Sequence, residues 1–370
     1  MATPLTAQFF LQKHFEVLSA EFDLYMVANM EPGSPNQFSS QYLTAIHHVD
    51  ISREINLVRD VKALINLRKY LAKMSFDAVL SVTPKAGLIG ILASRLAGIK
   101  NRIHIFTGQV WHTKKGWFKR LLMGLDQFIF YNSSFVLVDG QAQRTFLIDS
   151  GIISQAKSAV LGKGSISGVD TLRFQPNSEI RQTWRTKLGY GADDLVFMFL
   201  GRTNHDKGII ELTKAFRKLS LKYEHVRLLY VGFDEDKLIP TIKGILNDSP
   251  AFCFYGPTPI PELLLQACDV FCLPSHREGF GTSIIEASLL EKPVICSDTY
   301  GLMETIVAGE TGLRHPVGDV DAIFDCMDKL VKSKELRDSL GSNGNKYVHQ
   351  YFSAEKISAE WLKFFRKTLQ

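Results

Sequence analysis

Short hydrophobic runs alternate with longer stretches of helical periodicity along nearly the whole chain. Apolar runs of about four to eight residues, bounded by turn residues, are typical of strands buried in parallel sheets. Helix-length segments lie between the runs, so the pattern predicts an α/β protein with two doubly wound sheets. The first half contains the runs "FDAVLSV", "RIHIF", "FVLVD" and "SAVLG", and those of the second half end at Gly201, Gly232, Gly256, Ser275 and Asp298.

The two halves are joined by a glycine-rich segment, "LGKGSISGVDTLRFQPNSE", which has little apolar periodicity. Such a segment can act as a hinge or approach a phosphate closely, and we interpret it as the hinge. We therefore expect an N-terminal domain of residues 1–165 and a C-terminal domain of residues 166–351. A helix within residues 352–370 is expected to return to the first domain.

The beginning of the chain departs from the usual doubly wound pattern. A helical segment, "TAQFFLQKHFEVLS", precedes the first strand-like run, "FDLYMVAN". Domains of this class normally open with a strand, and the turn after that strand often lines the site. The first strand of the N-terminal domain is therefore expected to be missing.

Composition indicates a globular, cytoplasmic protein. No apolar run approaches the roughly 20 residues that span a bilayer, and the start lacks the features of a signal peptide. The five cysteines form no C-x-x-C pair and fall mostly in apolar runs, so they are expected to be reduced core residues. No metal or other cofactor is expected.

The net charge of +5 is distributed unevenly. Residues 1–165 hold 18 lysines and arginines against 11 acidic residues, and the remainder holds 25 against 27. A basic first half suits an anionic partner, which can be a membrane surface, a phosphorylated substrate or nucleic acid. Lysines that merely keep the protein soluble remain the alternative.

Two basic segments favour the membrane. Trp-bearing, basic, amphipathic segments bind well at anionic membrane surfaces, although a solvated or core-packed helix is an open alternative. Nucleic acid is not expected, because no binding module is recognisable. The segment "VRDVKALINLRKYLAKM" places five polar residues on one helical face: Arg59, Lys62, Asn66, Lys69 and Lys73. The segment "WHTKKGWFKRLLMGL" combines Trp111 and Trp117 with four basic residues: Lys114, Lys115, Lys119 and Arg120.

The segment "FLGRTNHDKGI" carries the first candidate chemistry. Gly201 and Arg202 directly follow a predicted strand, and Lys207 precedes the next helix. Ligands of open α/β sheets bind beyond the carboxyl ends of strands. An arginine, a lysine and free helix N–H groups there predict a diphosphate site, although solvated side chains in such a loop are common.

The segment "SHREGFGTSIIEASLLEKPVICSD" carries two glutamates on either side of a glycine turn. Gly279 and Gly281 allow close approach of the backbone to a ligand, and a helix begins near Thr282. Glu278 at the mouth is placed to accept hydrogen bonds from sugar hydroxyls, and Glu286, one turn into the helix, from a ribose. Ordinary helix-dipole preferences are the simpler alternative.

These motifs resemble the donor site of glycosyltransferase family 4, the retaining GT-B enzymes. The resemblance implies two Rossmann-like domains that face each other across a cleft, and a hexosyltransferase that needs no metal. It implies that Arg202, Lys207 and Glu278 act in the reaction. The implied donor-binding residues are Gly201, Arg202, Lys207, Gly279, Phe280, Gly281, Thr282 and Glu286.

In the first half, "IHIFTGQVWHTKKG" and "VLGKGSISGVDTLRF" resemble the bacterial surface-polysaccharide branch of that family. The resemblance implies a UDP-sugar donor and a polyprenyl-diphosphate-linked saccharide acceptor, as in O-antigen, lipopolysaccharide or capsule synthesis, at the inner face of the plasma membrane. Many members carry a His-Gly pair where this chain has Thr107 and Gly108, the implied acceptor-binding residues. His104 and His112 lie nearby and are interpreted as structural or surface residues.

Two other functions remain open at this stage. One is a GT-B nucleotide-sugar epimerase, which needs no acceptor and no membrane-facing basic surface. The other is a non-catalytic subunit that binds a nucleotide-sugar, which the missing strand suggests.

Overall fold

The chain divides into two compact units. The first comprises Met1–Gly168 and Ala354–Gln370, and the second comprises Val169–Ser353. The computed structural model describes residues 4–30, 39–51 and 56–369. Residues 1–3, 31–38 and 52–55 of the expected N-terminal domain, and residue 370 of the expected returning segment, lie outside the described residues.

The first unit contains two parallel sheets, one ordered β1-β2 and the other β3-β4-β5-β6. Its strands are Tyr25–Ala28 (β1), Ala45–His48 (β2), Ala78–Val82 (β3), Asn101–Phe106 (β4), Phe135–Val138 (β5) and Ser158–Val160 (β6). Its helices before the second unit are Pro4–Phe10 (α1), Gln12–Leu18 (α2), Leu57–Met74 (α3), Pro84–Leu96 (α4), Gly116–Asn132 (α5) and Gln141–Asp149 (α6), with 3₁₀ turns at Val110–Thr113 and Gln155–Lys157.

The start of the first unit follows the sequence pattern. Helices α1 and α2 come first, and the run "FDLYMVAN" contains β1. Within the described residues no strand precedes β1, and β1 pairs with β2. None of the helices in the described part of the chain is long and apolar enough to cross a membrane.

The second unit is built on one parallel six-stranded sheet, ordered β12-β11-β10-β7-β8-β9. Its strands are Leu195–Leu200 (β7), Val226–Val231 (β8), Phe252–Gly256 (β9), Val270–Leu273 (β10), Val294–Ser297 (β11) and Leu313–His315 (β12). Its helices are Ser178–Lys187 (α7), Ile209–Ser220 (α8), Ile239–Ile245 (α9), Pro261–Ala267 (α10), Thr282–Leu289 (α11), Val320–Lys332 (α12) and Lys334–Tyr351 (α13), with 3₁₀ turns at His205–Lys207 and Tyr300–Leu302.

The core of the second unit explains why its strands read as continuous apolar runs. Phe197, Phe199 and Tyr230 on β7 and β8 are fully buried, since helices cover both faces of a doubly wound sheet. The strand order reverses at β7, which lies between β8 and β10. The carboxyl ends of β7 and β10 therefore flank the switch point where such sheets bind ligands.

The last helix, Ala354–Thr368 (α14), belongs to the first unit. Its Trp361 is 1% exposed, and the indole N–H donates to the carbonyl of Ile166 at 2.9 Å. His14 of α2 binds the same carbonyl through Nε2 at 2.8 Å and the Ser358 hydroxyl through Nδ1 at 2.7 Å. The chain enters this helix beside Gly168, whose φ of 60° and close approach to Ala354 leave no room for a Cβ.

Candidate active site

The predicted site residues of the second unit lie in two loops at one edge of its sheet. Gly201 and Arg202 follow β7, and Lys207 ends the 3₁₀ turn before α8. Glu278 lies between β10 and α11. Since β7 and β10 are parallel neighbours, their carboxyl ends meet at the same edge. The fold thus brings the two motifs together.

Lys207 and Glu278 are in direct contact. The ammonium group of Lys207 donates to Oε1 of Glu278, and the Ser275 hydroxyl donates to the same oxygen at 2.8 Å. The side chains of the pair are only 17% and 12% exposed. A charge so poorly solvated is stable only with a partner, so each residue holds the other in place.

Arg202 has a different partner. Its Nη1 donates to both carboxyl oxygens of Glu235, at 2.6 and 2.9 Å, and its side chain is 51% exposed. Asn204 donates to the same carboxylate through Nδ2 at 2.6 Å. Glu235 follows β8 and was not predicted from the sequence; the acidic run "DED" after a strand-ending glycine was its only signal.

Two helices begin at this edge without a side-chain cap. Helix α8 starts after Gly208, with φ of 66°, and α11 after Gly281, with φ of 73°. A Cβ on Gly208 would overlap the carbonyl of Pro274, and one on Gly281 would overlap Leu302, so both positions require glycine. In α11 the Ile284 N–H already donates to the Gly281 carbonyl at 2.9 Å. The earlier N–H groups of both helices have no acceptor among the described residues, and the helix dipole favours an anion there.

The loop before α11 is anchored from below. Phe280 is 5% exposed, and its ring packs against Phe352 at a centroid distance of 5.2 Å. A Cβ on Gly301 would overlap the carbonyl of Glu278, so the backbone of the loop packs closely there as well. The side chain of Phe280 therefore belongs to the core, and only its backbone can reach a ligand. Thr282, the first residue of α11, is half-buried.

Glu286 lies in the second turn of α11, close to the proposed ligand edge. The residue is half-buried in α11, and no described residue donates a hydrogen bond to its carboxyl group. Burial raises the pKa of Glu286 to about 7, opposed by Arg173 and reinforced by Glu262. Arg173 in turn bonds Glu262 at 2.6 Å and the carbonyl of Pro259 at 3.2 Å.

Further charges that the sequence did not reveal tie the two loops together. Arg277 Nε donates to Asp206 Oδ2 at 2.8 Å, and the backbone N–H of His276 donates to the Asp206 carbonyl at 2.8 Å. His276 Nε2 lies 3.3 Å from Glu211 of α8, and this contact raises the pKa of His276. These pairs can be identified only from distances in the folded structure, because nothing in the sequence links their members.

Thr107 and Gly108 lie in the first unit, directly after β4. The carbonyl of Thr107 accepts a hydrogen bond from Gln143 Nε2 at 2.8 Å and another from the Gln109 amide. Both residues are half-buried. Nothing in the described contacts distinguishes them further as a binding site.

The two nearby histidines have structural surroundings. His104 is 1% exposed, its Nδ1 lies 2.8 Å from the Ser81 hydroxyl, and burial lowers its pKa to about 3. It is therefore a neutral core residue, which is one of the two alternatives, structural or surface, expected for this histidine. His112 is half-buried and packs edge-on against Phe146 at 5.1 Å. In the described ranges no group of three or more His, Cys, Asp or Glu side chains is arranged to hold a metal.

Comparison with known proteins identifies the family. Residues 180–347 match the model for "Glycosyl transferases group 1". The chain is 30% identical over 357 residues to the capsular polysaccharide biosynthesis glycosyltransferase CapM of Staphylococcus aureus. This alignment covers 95% of this chain and 93% of CapM. It is 24% identical over 352 residues to the UDP-Gal:alpha-D-GlcNAc-diphosphoundecaprenol alpha-1,3-galactosyltransferase of Escherichia coli, covering 93% and 89%.

A solved structure shows the same fold. Anabaena HepE, crystallised with UDP and glucose, superposes with a TM-score of 0.80 at 18% identity, covering 99% of this chain and 97% of that one. This likeness confirms the prediction of the fold class, and the family model and the relative CapM confirm the prediction of an enzyme. The chain belongs to the group 1 glycosyltransferases, the family 4-like enzymes of the GT-B fold.

Proposed function

We propose that this glycosyltransferase moves a hexose or N-acetylhexosamine from a UDP-sugar to a polyprenyl-diphosphate-linked saccharide during surface-polysaccharide synthesis. The observation that carries the proposal is the edge of the second sheet. There, two uncapped helix N-termini, two cations and an unpartnered carboxyl group lie on adjoining elements. That set matches the phosphates and the ribose of a nucleoside diphosphate.

The diphosphate would lie between the N-termini of α8 and α11. Neither helix has a side-chain cap at its N-terminus, and Arg202 and Lys207 would supply positive charge. In the reaction the bond from the sugar C1 to the diphosphate breaks, so negative charge develops on the leaving oxygen. Cations held in place before the reaction stabilise that charge, and this is the main role of Arg202 and Lys207.

The ribose would bind at Glu286. No described residue donates a hydrogen bond to its carboxylate, so both oxygens can accept from the hydroxyls of the diol. The uracil base would lie near the end of β9, where Tyr255 is 41% exposed, and near the loop that follows, where Arg173 donates to the Pro259 carbonyl. The influence of Arg173 on the pKa of Glu286 supports the proximity of the two subsites.

The transferred sugar would lie against Glu278 and the backbone amides of Gly279 to Gly281. When the donor enters, the phosphate takes over the Lys207 ammonium group, and Glu278 becomes available to sugar hydroxyls. By resemblance to its family, we propose retention by front-face attack. A bond forms from the acceptor oxygen to C1 as the bond to the diphosphate breaks, and the acceptor proton passes to the departing phosphate.

The named relatives support the choice of substrates. HepE has been crystallised with UDP and glucose, and the E. coli relative is named for transfer from UDP-Gal to a diphosphoundecaprenol-linked sugar. CapM is named for capsular polysaccharide synthesis. The name of the E. coli relative thus contains both the UDP-sugar donor and the lipid-linked acceptor of the proposal.

The surface of the first unit supports attachment to the inner face of the plasma membrane. Helix α5 exposes a stripe of apolar side chains, in which Trp117 is 75% exposed. Four basic residues lie in the chain just before this stripe or within it. Helix α3 exposes a second stripe next to its basic face. The stripes consist of Trp117, Phe118, Leu121, Leu125 and Phe128 on α5, and of Leu57, Val58, Val61 and Ile65 on α3. Exposed apolar side chains next to basic residues favour binding to an anionic bilayer.

One assay tests the proposal. The protein is incubated with a panel of UDP-sugars and a polyprenyl-diphosphate saccharide, and the lipid product is analysed by mass. A product heavier by one hexose or N-acetylhexosamine is expected. Isomerised UDP-sugar without any acceptor would instead reveal an epimerase. UDP-sugar binding with no turnover would reveal a non-catalytic subunit.

A further inference from the structure

We propose that Glu235 is a positioning residue that aims Arg202 at the donor diphosphate. The inference rests on the proposed function, because it assigns Arg202 a diphosphate ligand. It concerns a residue outside the two motifs, on the loop between β8 and α9.

The contact between the two residues leaves most of the guanidinium group available. Arg202 uses a single nitrogen, Nη1, for both oxygens of Glu235. No described residue accepts a hydrogen bond from its Nε or Nη2. A guanidinium group is a rigid planar fork, so fixing one corner orients the remaining donors. An arginine held in this way can bind a phosphate without releasing its carboxylate.

Glu235 is itself fixed. Asn204, only 6% exposed, donates to its Oε2 at 2.6 Å. The oxygen of the Asn204 amide is buried and has no hydrogen-bond donor among the described residues, so the contact with Glu235 is the one side-chain hydrogen bond described for Asn204. Glu235 therefore serves as an anchor with a defined position, in contrast to a mobile surface carboxylate.

The backbones of the two loops are also joined. The Thr203 N–H donates to the Phe233 carbonyl at 2.7 Å, and the His205 N–H donates to Asp236 Oδ2 at 3.0 Å. Gly232 lies so close to the carbonyl of Gly201 that a Cβ could not fit. The relative placement of Arg202 and Glu235 is thus set by the ends of β7 and β8.

A carboxylate near a diphosphate could instead act as a competitor that repels the ligand. The two roles predict opposite results when the carboxylate is removed. If Glu235 is an anchor, its removal weakens UDP binding, because Arg202 loses its orientation and must be ordered by the ligand. If Glu235 is a competitor, its removal strengthens UDP binding, because a negative charge near the diphosphate is lost.

The test is calorimetric titration of UDP into the wild type and into E235A, E235Q, R202A and the double variant. We expect about tenfold weaker UDP binding for E235A, as for loss of one charge-assisted hydrogen bond. E235Q should recover most of it, since the Gln carbonyl still accepts from Arg202. In the R202A background, E235A should have no further effect. E224A, which removes an exposed acidic residue elsewhere in the unit, is the matched control.

Each other result decides against the anchor. Tighter UDP binding by E235A would identify a competitor. An equal loss from E235A with and without Arg202 would show that Glu235 acts independently of it. A lower unfolding temperature for E235A with unchanged UDP affinity would make its role purely structural. If the wild type binds no UDP, the proposed function fails together with the anchor, whereas the other results leave the proposed function intact.

Discussion

Lys207 and Glu278 are 71 residues apart in the chain, yet their side chains form a shielded ion pair at the edge of the second sheet. The pair neutralises two groups that the sequence assigned to different parts of one ligand. Arg202 forms its own pair with Glu235. Both cations of the proposed diphosphate site are therefore held by carboxylates before any ligand arrives.

The first prediction distinguishes the two cations. Arg202→Ala and Lys207→Ala should each lower kcat by about a hundredfold, because each removes a charge that stabilises the leaving diphosphate. Only Lys207→Ala should also lower the free energy of unfolding, by roughly 1–3 kcal/mol, since it leaves Glu278 poorly solvated without its cation. Arg202 is half exposed, so its loss should cost under about 1 kcal/mol. Turnover assays and urea titrations measure both effects, and wild-type turnover in the double variant would contradict the assignment.

The second prediction separates the two glutamates. Glu278→Gln should impair sugar transfer and leave UDP affinity nearly unchanged, because UDP lacks the sugar that Glu278 is proposed to hold. Glu286→Ala should weaken UDP itself, by about tenfold, because a charge-assisted hydrogen bond to the ribose is lost. Calorimetry with UDP and with a UDP-sugar measures both. Equal UDP affinity in the wild type and Glu286→Ala would contradict the ribose contact.

The third prediction concerns pH. The pKa of Glu286 is raised to about 7 by burial, and its ionised form is the better acceptor for ribose hydroxyls. Affinity for a UDP-sugar should therefore rise as pH increases through about 7, and level off above it. The donor diester has no group of its own that titrates in this range. Glu286→Gln should abolish the rise, and an identical pH profile in that variant would assign the titration to another group.

The sequence was sufficient to predict the fold class, because buried parallel strands leave a direct signal of short apolar runs. Two strands were missed. Ala45–His48 contains two histidines and is only partly buried, and Leu313–His315 has three residues with a central arginine. Neither has the apolar run that identifies a strand, and each is recognisable only through its neighbour in the sheet.

The candidate site shows a similar limit. Residues at strand ends could be placed on a common edge, since parallel strands align their carboxyl ends. The partners of those residues could not be predicted, because Arg202 and Glu235 are 33 residues apart and meet through the joining of two loops. The roles of Arg202, Lys207, Glu278 and Glu286 in substrate binding stay predictions.

The fourth prediction tests how α14 is held in the first unit. His14 is buried between Ser358 and Ile166, and burial lowers its pKa to about 4, below the ordinary value of 6.5. A lowered histidine pKa contributes stability that is present above about 6.5 and lost as pH falls through about 4, by roughly 3 kcal/mol in all. His14→Gln should flatten the dependence of unfolding free energy on pH in this range.

The control for that experiment is an exposed histidine of the second unit, His349. His349→Gln should leave the pH dependence of unfolding unchanged. His104 has a pKa lowered to about 3 by burial, so it contributes in the same direction and some slope should remain in His14→Gln. An unaltered slope in His14→Gln would mean that the histidine is not held neutral in the folded unit.

The fifth prediction concerns α5 of the first unit, where the exposed Trp117 lies next to Lys114 and Lys115. If this face binds anionic lipid, reversing both lysines to Glu should weaken binding to phosphatidylserine vesicles by at least about tenfold, since each basic residue near such a surface contributes about 1 kcal/mol. Binding should fall with salt. The matched control, Lys214→Glu with Lys243→Glu in the second unit, should bind vesicles as the wild type does.

The variant with Lys114 and Lys115 reversed should keep its UDP affinity but lose activity on a long-chain polyprenyl acceptor more than on a short soluble one. Equal losses on both acceptors, or undiminished vesicle binding, would show that the face is only a solvated surface.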